Sequence, residues 1–115
     1  MNHDISTQEL SALISEGTPL TLLEALPPEH YAREHLPGAK NLPLQGLEAR
    51  VRELDLEPNA LLVTYCTGAT CANSHIAGRK LEELGYRNVR VYTGGKQAWR
   101  EAGFAFERGV TARVA

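Results

Sequence analysis

The sequence lacks a basic excess, a long apolar run and an N-terminal targeting pattern. Twelve lysines and arginines stand against fourteen acidic residues, for a formal net charge of −2. This balance argues against a nucleic-acid surface, which carries a clustered basic excess. No apolar run approaches the roughly 20 residues that span a bilayer, and residues 1–6 have neither the basic nor the apolar stretch of a secretion signal. We therefore expect a cytoplasmic protein that binds neither nucleic acid nor membrane.

Cysteine is also scarce, since the 115 residues contain only Cys66 and Cys71. In a reducing cytoplasm such a pair is interpreted as reactive or buried thiols rather than as a structural disulfide. Cys66, Cys71 and His75 would supply three metal ligands, but structural zinc takes four and no fourth is evident. We therefore predict no metal and no cofactor.

Strand-like and helix-like segments alternate along the chain, which is typical of a parallel sheet covered by helices. Ser6 and Glu9 form a capping box that begins the first helix, and Gly17 ends it. The apolar run 61–65 is the clearest strand and predicts a central position in the sheet. Further strands are predicted at 20–23, 39–42 and 89–91, with helices at 29–34, 44–54, 73–84 and 96–102. The helix at 73–84 is expected to bury one side, formed by Ile76, Ala77, Leu81 and Leu84. We place one domain at residues 1–105 and a C-terminal tail at 106–115.

The chemistry is expected in the segment that follows this strand. Cys66 ends the strand, and a loop of small residues then leads to a helix with an Asn or Ser N-cap. Backbone N–H groups of such a loop can surround an anion, and the positive end of the helix dipole points to the same place. A thiol there is expected to have a lowered pKa and to act as a nucleophile. The loop and cap residues are Thr67, Gly68, Ala69, Thr70, Cys71, Ala72 and Asn73. From spacing alone, a buried and inert Cys66 remains an alternative.

Four stretches, in this order, resemble rhodanese-like sulfurtransferase domains. They are residues 35–43 (HLPGAKNLP), 63–66 (VTYC), 84–89 (LGYRNV) and 92–99 (YTGGKQAW), and the resemblance extends from Ile5 to Phe104. It implies a rhodanese-like α/β fold, with about five parallel strands and helices on both faces. It also implies that Cys66 accepts a sulfane sulfur as a persulfide. The implied partners are a small sulfur-donor anion such as thiosulfate and a thiol acceptor, either small or carried on a protein.

The sequence departs from the family pattern in two places. Where many members have Asp-x-Arg after the second strand, this chain has Glu24, Ala25 and Leu26, which leaves Glu24 as an auxiliary site residue or a solvated carboxylate. In the loop, Cys71 stands where many members carry an arginine, and no lysine or arginine lies between Cys66 and Arg79. Anion binding is therefore assigned to backbone amides and the helix dipole, with His75 as a possible auxiliary.

The loop leaves several functions open. Ala72 occupies the position where Cys-x5-Arg phosphatases carry the arginine that grips phosphate, so phosphatase chemistry is disfavoured. Cys71 is either inert or a resolving thiol that closes a disulfide with Cys66. Besides sulfur transfer, the alternatives are a thiol redox switch and a non-catalytic binding module. Gly94 and Gly95 are expected to bring their backbone close to the Cys66 loop, because parallel strands present their carboxyl ends to one crevice.

Overall fold

A computed structural model of the protein describes residues 3–109. Within that range, strands and helices alternate along the chain. The strands are β1 (His3–Ile5), β2 (Thr21–Glu24), β3 (Lys40–Asn41), β4 (Leu62–Tyr65) and β5 (Val89–Tyr92). The helices are α1 (Thr7–Ser15), α2 (Pro28–Arg33), α3 (Leu47–Leu54), α4 (Asn73–Glu83) and α5 (Gly95–Glu101). None of these helices has the length and apolar character needed to cross a bilayer.

The strands form one parallel sheet in the order β1-β5-β4-β2-β3. β4 lies in the middle, pairs with β2 and β5, and has all four residues buried. The predicted fold, a five-stranded parallel sheet with helices on both faces, is confirmed. The edge strand β1 was not predicted, because only Ile5 of its three residues is apolar and no alternation marks it.

Successive residues of β4 pack into different cores. Val63 and Tyr65 lie in a cluster with the α1 residue Leu10 and the α5 residue Trp99. Leu62 lies in a second cluster, which contains residues of α3 and α4. Neighbouring residues of a strand point to opposite faces of the sheet. Because both faces are buried here, apolar residues occur on both faces of β4.

The boundaries of α1 follow from local sequence. The Ser6 hydroxyl accepts a hydrogen bond from the Glu9 amide at 3.0 Å, and the Glu9 carboxylate accepts one from the Ser6 amide at 2.9 Å. The predicted capping box is therefore confirmed. Gly17, with φ 76°, lies just beyond the helix end, in the left-handed conformation that glycine adopts at little cost.

Helix α4 packs closely on the sheet. Its contact face consists of small residues plus one leucine: Ser74, Ala77, Gly78 and Leu81. A Cβ at Gly78 would lie 3.2 Å from Val91 Cγ2, which shows how near the helix backbone comes to β5. Ile76 and Leu84 lie off this face and are 37% and 42% exposed, so the expectation that both are buried was wrong.

The chain after α5 returns to the domain. Phe106 packs against the cluster that contains Trp99. His35 and Glu107 exchange two backbone hydrogen bonds of 2.8 Å, and the Glu107 carboxylate accepts a third from the Gly38 amide at 3.0 Å. Residues 106–109 thus contact the domain, whereas residues 110–115 of the predicted tail lie outside the described residues.

Candidate active site

Cys66 lies directly after β4 at the carboxyl end of the sheet and is 1% exposed. Its sulfur is bonded to the sulfur of Cys71, and the two Cα atoms are 6.4 Å apart, within the range that disulfides span. Cys71 is half-buried. This pairing is the one that the resolving-thiol interpretation of Cys71 requires. In the state described by the structure, neither cysteine is a free thiol.

The loop between the two cysteines is folded back on itself. The Cys71 amide donates to the Gly68 carbonyl at 3.1 Å, and Cys66 Sγ lies 3.4 Å from the Cys71 carbonyl oxygen. Thr67, Ala69, Thr70 and Ala72 are exposed, whereas Gly68 is buried. Among residues 3–109, no acceptor is found for the amides of residues 67–70. These amides are therefore available to an anion.

Helix α4 begins one residue earlier than an Asn73 N-cap would place it and two residues earlier than a Ser74 N-cap would. Asn73 is its first residue, and the capping position is held by Ala72 without a side-chain bond. The Asn73 side chain instead donates to the Ala25 carbonyl at 2.9 Å, across the carboxyl end of β2. The Thr64 hydroxyl donates to the Ser74 carbonyl at 2.9 Å. The start of α4 is thus attached to both β2 and β4 by buried or half-buried hydrogen bonds.

The opposite side of the Cys66 loop rests on α5. The Lys96 amide donates to the Cys66 carbonyl at 3.0 Å, and the Gln97 amide donates to the Thr67 carbonyl at 2.9 Å. Gly95 has φ 61°, and a Cβ there would overlap the Cys66 carbonyl oxygen and lie 2.9 Å from the Gly68 nitrogen. The expected approach of Gly94-Gly95 to the Cys66 loop is confirmed, with Gly95 as the residue that permits it.

A buried ion pair lies beneath this contact. Glu24, at the end of β2, is fully buried, so the alternative of a solvated strand-end carboxylate was wrong. Its Oε2 lies 3.0 Å from Lys96 Nζ, and its Oε1 accepts a hydrogen bond from the Tyr65 hydroxyl at 2.8 Å. Lys96 also donates to the His30 carbonyl at 3.1 Å. Many family members carry an arginine at the position of Leu26. In this chain the cation beside Glu24 is instead Lys96 of α5.

Burial and hydrogen bonding act in opposite directions on this cluster. Burial raises the pKa of Glu24, while the Tyr65 hydroxyl and the Lys96 ammonium partly offset it by stabilising the carboxylate. Burial, together with the nearby Glu24 charge, raises the pKa of Tyr65 well above its usual range, so Tyr65 stays a neutral donor. The cluster fixes the ends of β2 and β4 to the first turn of α5.

A cavity of about 250 Å³ adjoins the loop at Thr67 and is rich in basic residues. Its lining comprises His30, Arg33, Glu34, Thr67, Lys96, Gln97 and Arg100. Arg100 forms an ion pair with Glu34, whereas Arg33 is exposed and has no ion pair within residues 3–109. From the sequence, anion binding was assigned to backbone amides and the helix dipole, with His75 as a possible auxiliary, because only cations close to Cys66 in the chain were considered. The fold adds cations from α2 and α5.

His75 lies in the first turn of α4 and is half-buried. This place on the helix agrees with the prediction from the sequence. Within residues 3–109, no three histidine, cysteine or acidic side chains are close enough together to hold a metal ion.

Comparison with known proteins identifies the family. The family model of the Rhodanese-like domain matches residues 6–102, which include β2, β4, α4 and the Cys66 loop. The chain belongs to the rhodanese-like domain family. Among solved structures, the Rhodanese-like domain of the Alr3790 protein of Anabaena superposes on 99% of this chain with a TM-score of 0.81 at 25% identity, and 85% of that chain is covered. This likeness supports the rhodanese-like fold independently of the sequence match.

Two relatives of this rhodanese-like domain, both from Mycobacterium tuberculosis, are longer proteins than this chain. The HTH-type transcriptional regulator Rv0324 of Mycobacterium tuberculosis is 35% identical over 94 residues, which cover 82% of this chain and 40% of the relative. The putative thiosulfate sulfurtransferase SseB of the same organism is 30% identical over 132 aligned residues, covering 91% of this chain and 46% of the relative. The chain thus spans less than half the length of either protein.

Proposed function

We propose that this domain is a rhodanese-type sulfurtransferase that carries a sulfane sulfur as a persulfide on Cys66. The observation that carries the proposal is the position of Cys66 at the carboxyl end of the central strand, next to loop amides that have no acceptor within residues 3–109. Membership of the rhodanese-like family supports the same reaction class. A thiolate in this position would be stabilised by the amides and by the start of α4.

The reaction proceeds in two displacements. In the first, the Cys66 thiolate attacks the outer sulfur of thiosulfate, whose sulfur–sulfur bond breaks, and sulfite leaves with the bonding electron pair. In the second, an acceptor thiolate attacks the terminal sulfur of the persulfide and restores the Cys66 thiolate. The sulfur moves without any net oxidation or reduction. The first displacement requires a free Cys66 thiolate, so the bond to Cys71 must first be reduced.

The basic cavity beside Thr67 supports an anionic donor. A negatively charged donor that approaches the loop passes the cations of α2 and α5, which raise its local concentration. Arg33 is well suited to this role, because the neighbouring Arg100 is already paired with Glu34. We assign the cavity to the approach of the donor and the loop amides to the transferred group.

The proposal is tested with the reduced protein and thiosulfate. In the first samples after mixing, we expect the intact mass to rise by one sulfur atom and the modification to map to Cys66. Turnover with a thiol acceptor should be abolished in Cys66→Ala, because Cys71, the other cysteine of the sequence, does not lie at the end of β4. The Ala49→Ser variant, altered at an exposed position of α3 outside the Cys66 loop, serves as the matched control and should behave as wild type.

Two results would contradict the proposal. Sulfur uptake or turnover that persists in Cys66→Ala would exclude Cys66 as the carrier. A reduced wild-type protein that takes up no sulfur, and whose Cys66 is alkylated with the pH dependence of an ordinary thiol, would favour the non-catalytic binding module.

A further inference from the structure

Cys71 lies close enough to Cys66 to take part in the proposed sulfur transfer. Its sulfur is bonded to that of Cys66, and the turn closed by the Cys71 amide and the Gly68 carbonyl holds the two residues together. The loop conformation that brings the two sulfurs together is therefore one that an ordinary backbone hydrogen bond also stabilises. No other cysteine occurs in the sequence.

The two sulfurs also differ in access. Cys66 is 1% exposed, whereas Cys71 is half-buried and is flanked by the exposed residues Thr70 and Ala72. A bulky external thiol must displace part of the loop to reach Cys66. Cys71 is already within bonding distance, and an intramolecular nucleophile has a large kinetic advantage over one that must diffuse in. A persulfide on Cys66 would thus meet Cys71 first.

We propose that Cys71 is the resolving thiol of the Cys66 persulfide, an inference that rests on the proposed function. The Cys71 thiolate attacks Sγ of Cys66, and a bond forms between the two cysteine sulfurs. The bond from Sγ to the protonated sulfane sulfur breaks, and that sulfur keeps its proton and leaves as hydrosulfide with the electron pair. The two cysteines are oxidised to the disulfide, and the sulfane sulfur is reduced to sulfide.

This step gives the domain an activity beyond persulfide transfer. One thiosulfate would yield one sulfite and one hydrosulfide, and the protein would stop in the disulfide form seen in the structure. A reductant is then needed to restore both thiols, and a dithiol suits this step because it can attack the bond and then close its own disulfide. The class of reductant that the step favours is therefore a dithiol.

The test follows a single turnover without added thiol. Wild type, Cys71→Ser, Cys66→Ser and the control Ala49→Ser, altered at an exposed position of α3 outside the Cys66 loop, are reduced, freed of reductant under anaerobic conditions and mixed with thiosulfate. Samples taken over time are analysed for intact mass and for released sulfide. In wild type and Ala49→Ser, we expect the added sulfur to disappear, about one sulfide per chain to be released, and the final mass to lie two hydrogens below the reduced protein.

In Cys71→Ser the persulfide should persist at least about tenfold longer, because the intramolecular nucleophile is missing. Addition of a dithiol should return oxidised wild type to a second round of sulfide release. A wild-type persulfide as long-lived as that of Cys71→Ser, with neither sulfide nor disulfide formed, would overturn the inference and leave the proposed function intact. Sulfur added to Cys71 in Cys66→Ser would also overturn it. An absence of sulfur uptake in every variant would instead refute the proposed function, and the inference with it.

Discussion

The two sides of the Cys66 loop are built differently. On the α5 side, two backbone hydrogen bonds join the loop to Lys96 and Gln97, and the Lys96 side chain continues into the buried pair with Glu24. On the outer side, residues 69–72 are mostly exposed and are held by the disulfide between Cys71 and Cys66 and by one backbone hydrogen bond from the Cys71 amide to the Gly68 carbonyl. The α5 side therefore fixes the backbone at Cys66 and Thr67, while most side chains of the outer side remain accessible. The predictions below test this division.

The largest effect is expected on the α5 side, at Gly95. In Gly95→Ala, the added Cβ would overlap the Cys66 carbonyl oxygen. The backbone at this position is also left-handed, with φ 61°, a conformation that alanine disfavours. Together these effects should lower the free energy of unfolding by about 4 kcal/mol. Gly103→Ala is the matched control, because its φ is 86° but a Cβ there meets nothing within 4 Å. It should cost only about 1 kcal/mol in urea unfolding. Equal losses in the two variants would mean that the contact with Cys66 is unimportant.

The next effect concerns the buried ion pair. Lys96→Met keeps most of the side-chain volume but leaves the Glu24 carboxylate without its cation, which should cost about 3 kcal/mol at neutral pH. Because burial raises the pKa of Glu24, its contribution to stability is fully present below the ordinary value of 4.5 and is lost as pH rises through the higher folded value. Loss of Lys96 should raise that pKa further.

The destabilisation by Lys96→Met should therefore shrink as the pH is lowered toward the carboxyl range, where a neutral Glu24 no longer needs a cation. Urea unfolding at a series of pH values measures this. Arg100→Met removes an ion pair between more exposed partners and should change stability little at any pH. A loss for Lys96→Met that does not vary with pH would show that packing, not charge, is responsible.

The smallest effect is expected on the outer side. Thr70→Ala and Ala69→Ser alter exposed side chains that contact no other described residue through a hydrogen bond. Each should change the free energy of unfolding by less than about 0.5 kcal/mol. A loss comparable to that of Lys96→Met would show that the outer loop is as constrained as the α5 side and would remove the distinction between them.

Prediction from the sequence worked best where the cause was local. The capping box of Ser6 and Glu9 and the apolar segment of β4 needed only neighbouring residues to be interpreted. It worked less well where a helix face had to be oriented, since Ile76 and Leu84 are apolar but turn away from the close contact made through Gly78. The approach of Gly95 to the Cys66 loop was predicted, but Lys96 was not considered as a partner of Glu24.

The sequence by itself determined the family, the position of Cys66 directly after the central strand, and the absence of a lysine or arginine between Cys66 and Arg79. These features depend on residue types at fixed spacing, which can be recognised without coordinates. Only the tertiary structure decided that Glu24 is buried against Lys96, that α2 and α5 bring cations to the loop, and that Cys71 bonds to Cys66. The first two of these connect segments that are distant in the chain, and the third depends on a loop conformation that spacing permits but does not select.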